Sequence, residues 1–220
     1  MTRSRQSILT AALAAALGLS PGLAAAFPVS FGGDWTEQNF SLFSGNDYRL
    51  QGDAVTVLSD GAVSLIWTAL PPAARTATQA SWTWQVDAGV PPTDLTQKGG
   101  DDRNLALYFV FLPAAEAERA SGDNIRALLR NDAARVLVYT WGGVHARGDV
   151  LSSPYLGARG RTVVLRPSGT GSARESVDLS RDYSRAFGAA PERLVGLAVS
   201  ADSDDTDSVI EATVSNLTVE

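Results

Sequence analysis

From Ser81 to Asp87 the chain alternates without a break, with Trp82, Trp84 and Val86 on one side and Ser81, Thr83, Gln85 and Asp87 on the other. A period of two marks a half-buried β-strand, and here the buried side carries two indoles. The same period, or a short apolar run bounded by turn residues, recurs over residues 48–51, 55–58, 62–70, 105–112, 135–141, 161–166, 175–179, 194–200 and 209–219. Gly52-Asp53 reads as a hairpin turn, Pro71-Pro72 stops one strand and Gly142-Gly143 another. Residues 105–112 are apolar on both faces, which predicts a central strand covered on both sides. In 209–219 the alternation changes phase at Ser215-Asn216, which predicts a bulge. Helical patterning is confined to 123–130, behind Asp123 as a cap, and to a turn over 183–187 that ends at Gly188. Strands and helices do not alternate regularly, which argues against a doubly wound α/β fold. The pattern predicts an all-β chain: a jelly-roll-type β-sandwich of mainly antiparallel strands, with one or two short helices and late strands paired with early ones.

The first residues do not belong to that pattern. Arg3 and Arg5 precede an Ala-rich apolar stretch over 8–19, Pro21-Gly22 break it, and Ala24-Ala25-Ala26 offer a small-residue cleavage site. This is the build of a secretory signal peptide over 1–26, ahead of a single domain over 27–220. Cleavage removes two arginines and no acid, taking the formal charge from −6 to −8. The apolar stretch is shorter than the ~20 residues a membrane span needs, and no second one follows, so no span is expected after cleavage. The expected location is periplasmic or secreted, in a bacterium. The absence of cysteine excludes disulfides, thiolate nucleophiles and Cys-based zinc sites, and a lone histidine, His145, excludes a His-pair metal site. The acidic balance argues against a nucleic-acid partner.

Three groups of residues carry candidate chemistry. Asp202, Asp204, Asp205 and Asp207 crowd one short loop, where carboxylate oxygens are of the kind a hard divalent cation such as calcium requires. The bland alternative is a solvated acidic turn. Lys98, the only lysine, precedes Asp101 and Asp102 at the start of the 105–112 strand. Adjacent residues of a strand point to opposite faces. One aspartate therefore pairs with Lys98 or Arg103 and the other caps the loop, or one of them floors a ligand groove. If the 98–102 and 202–207 loops share an end of the sandwich, the two groups form one polar site. Tyr139 and Trp141 share a strand face, and Trp141, next to Gly142-Gly143, is the aromatic placed for partial exposure and ligand contact. Trp82 and Trp84 are read as core, because their alternate face is polar. Over residues 27–220 no Gly-x-Ser-x-Gly elbow, phosphate loop or dinucleotide fingerprint occurs.

In order along the chain stand Ser81-Trp82-Thr83-Trp84-Gln85-Val86, Lys98-Gly99-Gly100-Asp101-Asp102, Val138-Tyr139-Thr140-Trp141, Asp182-Tyr183 with Ala186-Phe187-Gly188, and Gly196-Leu197-Ala198-Val199 before the acidic loop. With this ordered set the chain resembles domain of unknown function 3047, a family of exported bacterial proteins, from about Arg49 onward. The resemblance implies a jelly-roll sandwich akin to galactose-binding and carbohydrate-binding modules, and no activity. The chain departs from the family's pattern at Ala173-Arg174-Glu175, where members often carry a tryptophan, and in Asp202-Ser203-Asp204-Asp205-Thr206. The reading is an exported, non-catalytic binding protein of the cell envelope with a glycan as its partner and calcium as the one candidate cofactor. The alternatives are a carboxylate-dependent glycan hydrolase or lyase, which needs two facing carboxylates across a cleft, and a purely structural envelope protein.

Overall fold

The computed structural model describes residues 26–40, 45–120 and 125–220. The expected export segment up to residue 25, and Asp123 as a helix cap, lie outside the described residues. Thirteen strands follow along the described chain: β1 (Phe27–Pro28), β2 (Thr36–Asn39), β3 (Asp47–Leu50), β4 (Ala54–Asp60), β5 (Val63–Ala69), β6 (Gln79–Ala88), β7 (Arg103–Leu112), β8 (Arg135–Trp141), β9 (Val150–Ser153), β10 (Gly157–Arg166), β11 (Gly171–Asp178), β12 (Arg193–Asp202) and β13 (Val209–Val219). Three short helices interrupt them: α1 (Ala114–Arg119), α2 (Ile125–Arg130) and α3 (Leu179–Phe187).

The strands form two sheets. One has the order β11-β6-β13-β4-β3, with β1 added against β13; the other has the order β2-β5-β12-β7-β8-β10-β9. All pairings are antiparallel except β8 with β10. Late strands lie against early ones, as a jelly roll requires: β13 between β6 and β4, and β12 between β5 and β7. The Gly52-Asp53 turn joins β3 to β4 with Leu50 opposite Val55, and Gly52 takes the left-handed φ of 79° that such a turn demands. The phase change in β13 is a bulge, with the register against β6 shifting between Ser215 and Thr218 and Asn216 at a φ of 53°.

Between the sheets lies an aromatic core. Trp82 and Trp84 are 1% and 0% exposed and meet edge-on at 5.4 Å between ring centroids. Trp84 also packs on Trp141 at 5.6 Å, and Trp82 on Tyr139 at 5.7 Å. Burial of such rings supplies much of a sandwich's stability. A second, smaller cluster covers the outer face of the seven-stranded sheet, where Ala106, Val110 and Leu112 of β7 pack with Ile125 and Leu128 of α2 and Ala117 of α1. Two-sided burial is why residues 105–112 are apolar without alternation: Leu105, Leu107, Phe109 and Phe111 face the sandwich and their neighbours face this cluster.

Two helices differ from expectation. The helix expected over 183–187 begins at Leu179, because Asp178 ends β11 by capping: its Oδ1 accepts from the Arg181 N–H at 2.9 Å. Gly188, at a φ of 74°, closes the helix as expected. Helix α1 was not expected, since Ala117 is its one buried residue and no apolar stripe announces it. Among the described residues no helix is long and apolar enough to cross a membrane.

Candidate functional site

A cleft of about 460 Å³ opens on the outer face of the seven-stranded sheet. Its aliphatic floor comes from outward-facing residues of four adjacent strands, among them Leu65, Val110, Val136, Val138 and Ala198. Its rim is made by Phe40, Leu95, Ile125 and the turn Ser153-Pro154-Tyr155-Leu156. Phe40 and Tyr155 are large rings more than half exposed, at 57% and 56%. One end of the cleft is polar, and it lies where β7 begins and β12 ends.

A local irregularity aims the polar residues there. The register of β12 against β7 shifts between Ser200 and Asp202, so that Asp202 stands opposite Arg103. Arg103 Nη1 donates to the Asp101 carbonyl and to Asp101 Oδ2, each at 3.0 Å, and pairs with Asp202 Oδ2 at 3.0 Å. Its Nη2 donates to the Tyr108 hydroxyl at 3.0 Å, and that hydroxyl shares a 3.0 Å hydrogen bond with Ser200 Oγ. The Tyr155 hydroxyl donates to Asp101 Oδ1 at 3.0 Å, and Lys98 Nζ sits 5.4 Å from the Tyr155 ring centroid. The planar fork of one arginine thus fixes two carboxylates and a phenol in a single arrangement.

The electrostatics follow from burial and from an excess of acid. Burial pushes the Asp202 carboxyl up to about 8, the carboxylates of Asp204 and Asp102 push the same way, and Arg103 opposes them. Burial disfavours the charge on Arg103, but Tyr108, Asp202 and Asp101 outweigh it and hold the guanidinium above its ordinary value. The Tyr155 hydroxyl, turned in from an exposed ring, is pushed up to about 12 by burial and by Asp101.

The 98–102 and 202–207 loops do share this end of the sandwich. Asp101 pairs with Arg103, while Asp102, fully buried, caps the acidic loop: it accepts from Asp205 N at 3.3 Å, from Thr206 N at 2.7 Å and from Thr206 Oγ1 at 2.5 Å. Lys98 reaches the aromatic ring of Tyr155 rather than a carboxylate. The four loop aspartates are not gathered on one point. Asp202 is turned to Arg103, and Asp207, at a φ of 50°, lies against Gly61. The carboxylates that do converge, within 4.8 Å of one another, are Asp102, Asp204 and Asp205, one buried and two exposed.

Tyr139 and Trp141 are not at the cleft, which corrects their reading as ligand contacts. Both face the sandwich core, where Tyr139 donates to the buried Asp182 Oδ2 at 3.0 Å and Trp141 stacks under Arg166 at 5.3 Å. The glycines after Trp141 do not expose it, because Arg166, Arg147 and Glu175 close that end of the sandwich. Buried Glu175 accepts from both arginines at 2.8 Å. Ala173 lies opposite Trp84 in the six-stranded sheet, away from the cleft. Sequence reasoning missed Tyr108 and Tyr155 at the site. Tyr108 left a trace, as the one hydroxyl within the apolar run of β7; Tyr155 left only a position after Pro154 in a turn.

The family described as protein of unknown function (DUF3047) matches residues 33–218. No curated protein matches. Among solved structures, the chain is similar to the xyloglucanase domain of NopAA, a type three effector from Sinorhizobium fredii in complex with cellobiose, at 9% identity and a TM-score of 0.45, over 89% of this chain and 98% of that one. It is also similar to a thermostable cellulase derived from the Cel12A cellulase of Rhodothermus marinus, at 12% and 0.47, over 89% and 100%. A family 11 xylanase from Neocallimastix patriciarum follows at 13% and 0.42, over 89% and 99%.

Proposed function

The chain belongs to the DUF3047 family, a family of unknown function, and from that premise we propose that it is an exported, non-catalytic glycan-binding protein whose ligand lies in the cleft of the seven-stranded sheet. The observation that carries the reading is the composition of that cleft. A sugar offers an apolar C–H face and a rim of hydroxyls that both donate and accept. The cleft sets an exposed ring, Tyr155, and an aliphatic floor beside a fixed fork of carboxylates, guanidinium and phenol. The polar groups are preorganised by one another, so ordering them takes nothing from the binding free energy.

Hydrolysis is the weaker reading. Asp101 Oδ2 and Asp202 Oδ2 both lie 3.0 Å from the same Arg103 nitrogen, so a guanidinium stands where a glycosidase keeps its substrate between two free carboxylates. Export rests on the charged, apolar and small-residue order of residues 1–26. Mass spectrometry of the protein from its native host tests it: a mature chain starting near Phe27 is expected, and an intact Met1 end in the cytoplasm overturns it. For binding, a glycan array followed by calorimetry on Tyr155→Ala is the direct test. The expected outcome is a bound oligosaccharide whose affinity falls at least tenfold in the variant, while the variant still unfolds cooperatively. An array with no bound glycan, or an affinity indifferent to Tyr155, overturns the reading.

A further inference from the structure

The charges at the polar end of the cleft do not balance. Asp101, Asp202 and Asp204 line it against the single guanidinium of Arg103. Asp102 and Asp205 crowd in behind, and Lys98 is on the Tyr155 ring. Arg103 is fully engaged by Asp101, Asp202 and Tyr108. One atom is left without a partner: Asp202 Oδ1 is buried and no donor faces it, on a side chain only 9% exposed. Its neighbour is the Asp204 carboxylate. Two carboxylates share a hydrogen bond only when one of them holds a proton, so this contact is a place for a positive charge that the protein itself does not supply.

We infer that the glycan seated in this cleft carries a free amino group, and that its ammonium docks between Asp202 and Asp204. The inference rests on the glycan reading and specifies its chemical class. An ammonium has three donors and no acceptor, so it satisfies the orphaned oxygen and the Asp204 carboxylate together. A hydroxyl has one donor and brings no charge. A uronate or a sulfated sugar adds negative charge to a site already in excess and is rejected.

Calorimetry with the full mature chain at pH 6, with a chelator present, tests this with four probes of equal length: a glucosamine oligomer, its N-acetylated form, a cello-oligosaccharide and an oligogalacturonate. The expected result is that the glucosamine oligomer binds at least about tenfold tighter than its acetylated form, since a hydrogen bond from a charged donor is stronger than one from a neutral amide. The oligogalacturonate does not bind. Asp204→Asn, an exposed substitution that leaves the fold intact, lowers the glucosamine affinity towards that of the acetylated oligomer. Equal binding of the glucosamine and neutral oligomers, or tighter binding of the acidic one, overturns the inference and leaves the glycan reading standing. Failure of all four probes, together with an empty glycan array, overturns both.

Discussion

Arg103 shows how much one planar group can organise. Removing it leaves buried Asp101 without its counter-charge and Asp202 Oδ2 without its donor, a loss of about 3–5 kcal/mol for a broken buried pair. Urea denaturation is expected to show that loss for Arg103→Ala and only partial recovery in Arg103→Lys, because an ammonium cannot reproduce the fork. In the core, Trp84→Ala is expected to lower stability by roughly 3–5 kcal/mol. Trp84→Phe is expected to lower it far less, since the indole Nε1 is buried without a partner and its removal relieves an unmade hydrogen bond. A Trp84→Ala variant that melts with the parent contradicts the core assignment. At this scale the sequence was informative about opposition. Adjacent Asp101 and Asp102 had to point apart, and they do, to Arg103 and to the 203–206 loop. Tyr155, by contrast, meets Asp101 across 54 residues, and nothing local records a contact at that separation.

Elements were legible where one periodicity ruled and illegible where caps or tertiary contacts overrode it. The alternation in β6 assigned its buried face correctly. It misled for β8: Tyr139 and Trp141 share a face as read, but that face is the core, because which face is outer is decided by the second cluster covering Val136 and Val138 on the other side. The acidic loop after β12 is the element on which the cleft depends. Its backbone N–H groups at Asp205 and Thr206 are held by Asp102, a residue 103 and 104 positions away. Asp102→Ala leaves those donors unmet and is expected to cost about 2–3 kcal/mol by urea denaturation. Limited proteolysis then cleaves first within 203–208. Asp102→Asn, which keeps an acceptor, is expected to stay nearer the parent; a loop as resistant in Asp102→Ala as in the parent means the cap does not hold it.

At the scale of the molecule, the sandwich class followed from ten short segments and their turns, whereas the strand order did not, because pairings such as β13 with β4 join residues 149 to 161 apart and carry no local signal. The cleft is a product of that order: it needs β5, β12, β7 and β8 side by side, and it inherits from their ends an acidic site built on a formally acidic chain. This has a consequence for stability as a function of pH. The Asp202 carboxyl sits near 8 in the folded chain against an ordinary 3.8, so the folded state holds a proton that the unfolded state gives up. A carboxyl raised on folding contributes stability that is fully present below its unfolded value and is lost as pH rises through the folded one. The window is therefore about pH 4 to pH 8, and the direction is a decline. Asp94 shifts the other way, lowered by its hydrogen bonds to Thr96, but its window lies below 3.8 and does not overlap. Between pH 6 and pH 9 the urea stability of the parent is expected to fall by on the order of 2 kcal/mol through Asp202. Asp202→Asn, which cannot ionise, is expected to flatten the profile over that range whatever its absolute stability. A parent profile that rises from pH 6 to pH 9, or one that Asp202→Asn leaves equally steep, means that Arg103 holds the carboxylate charged and that no proton is stored at the end of the cleft.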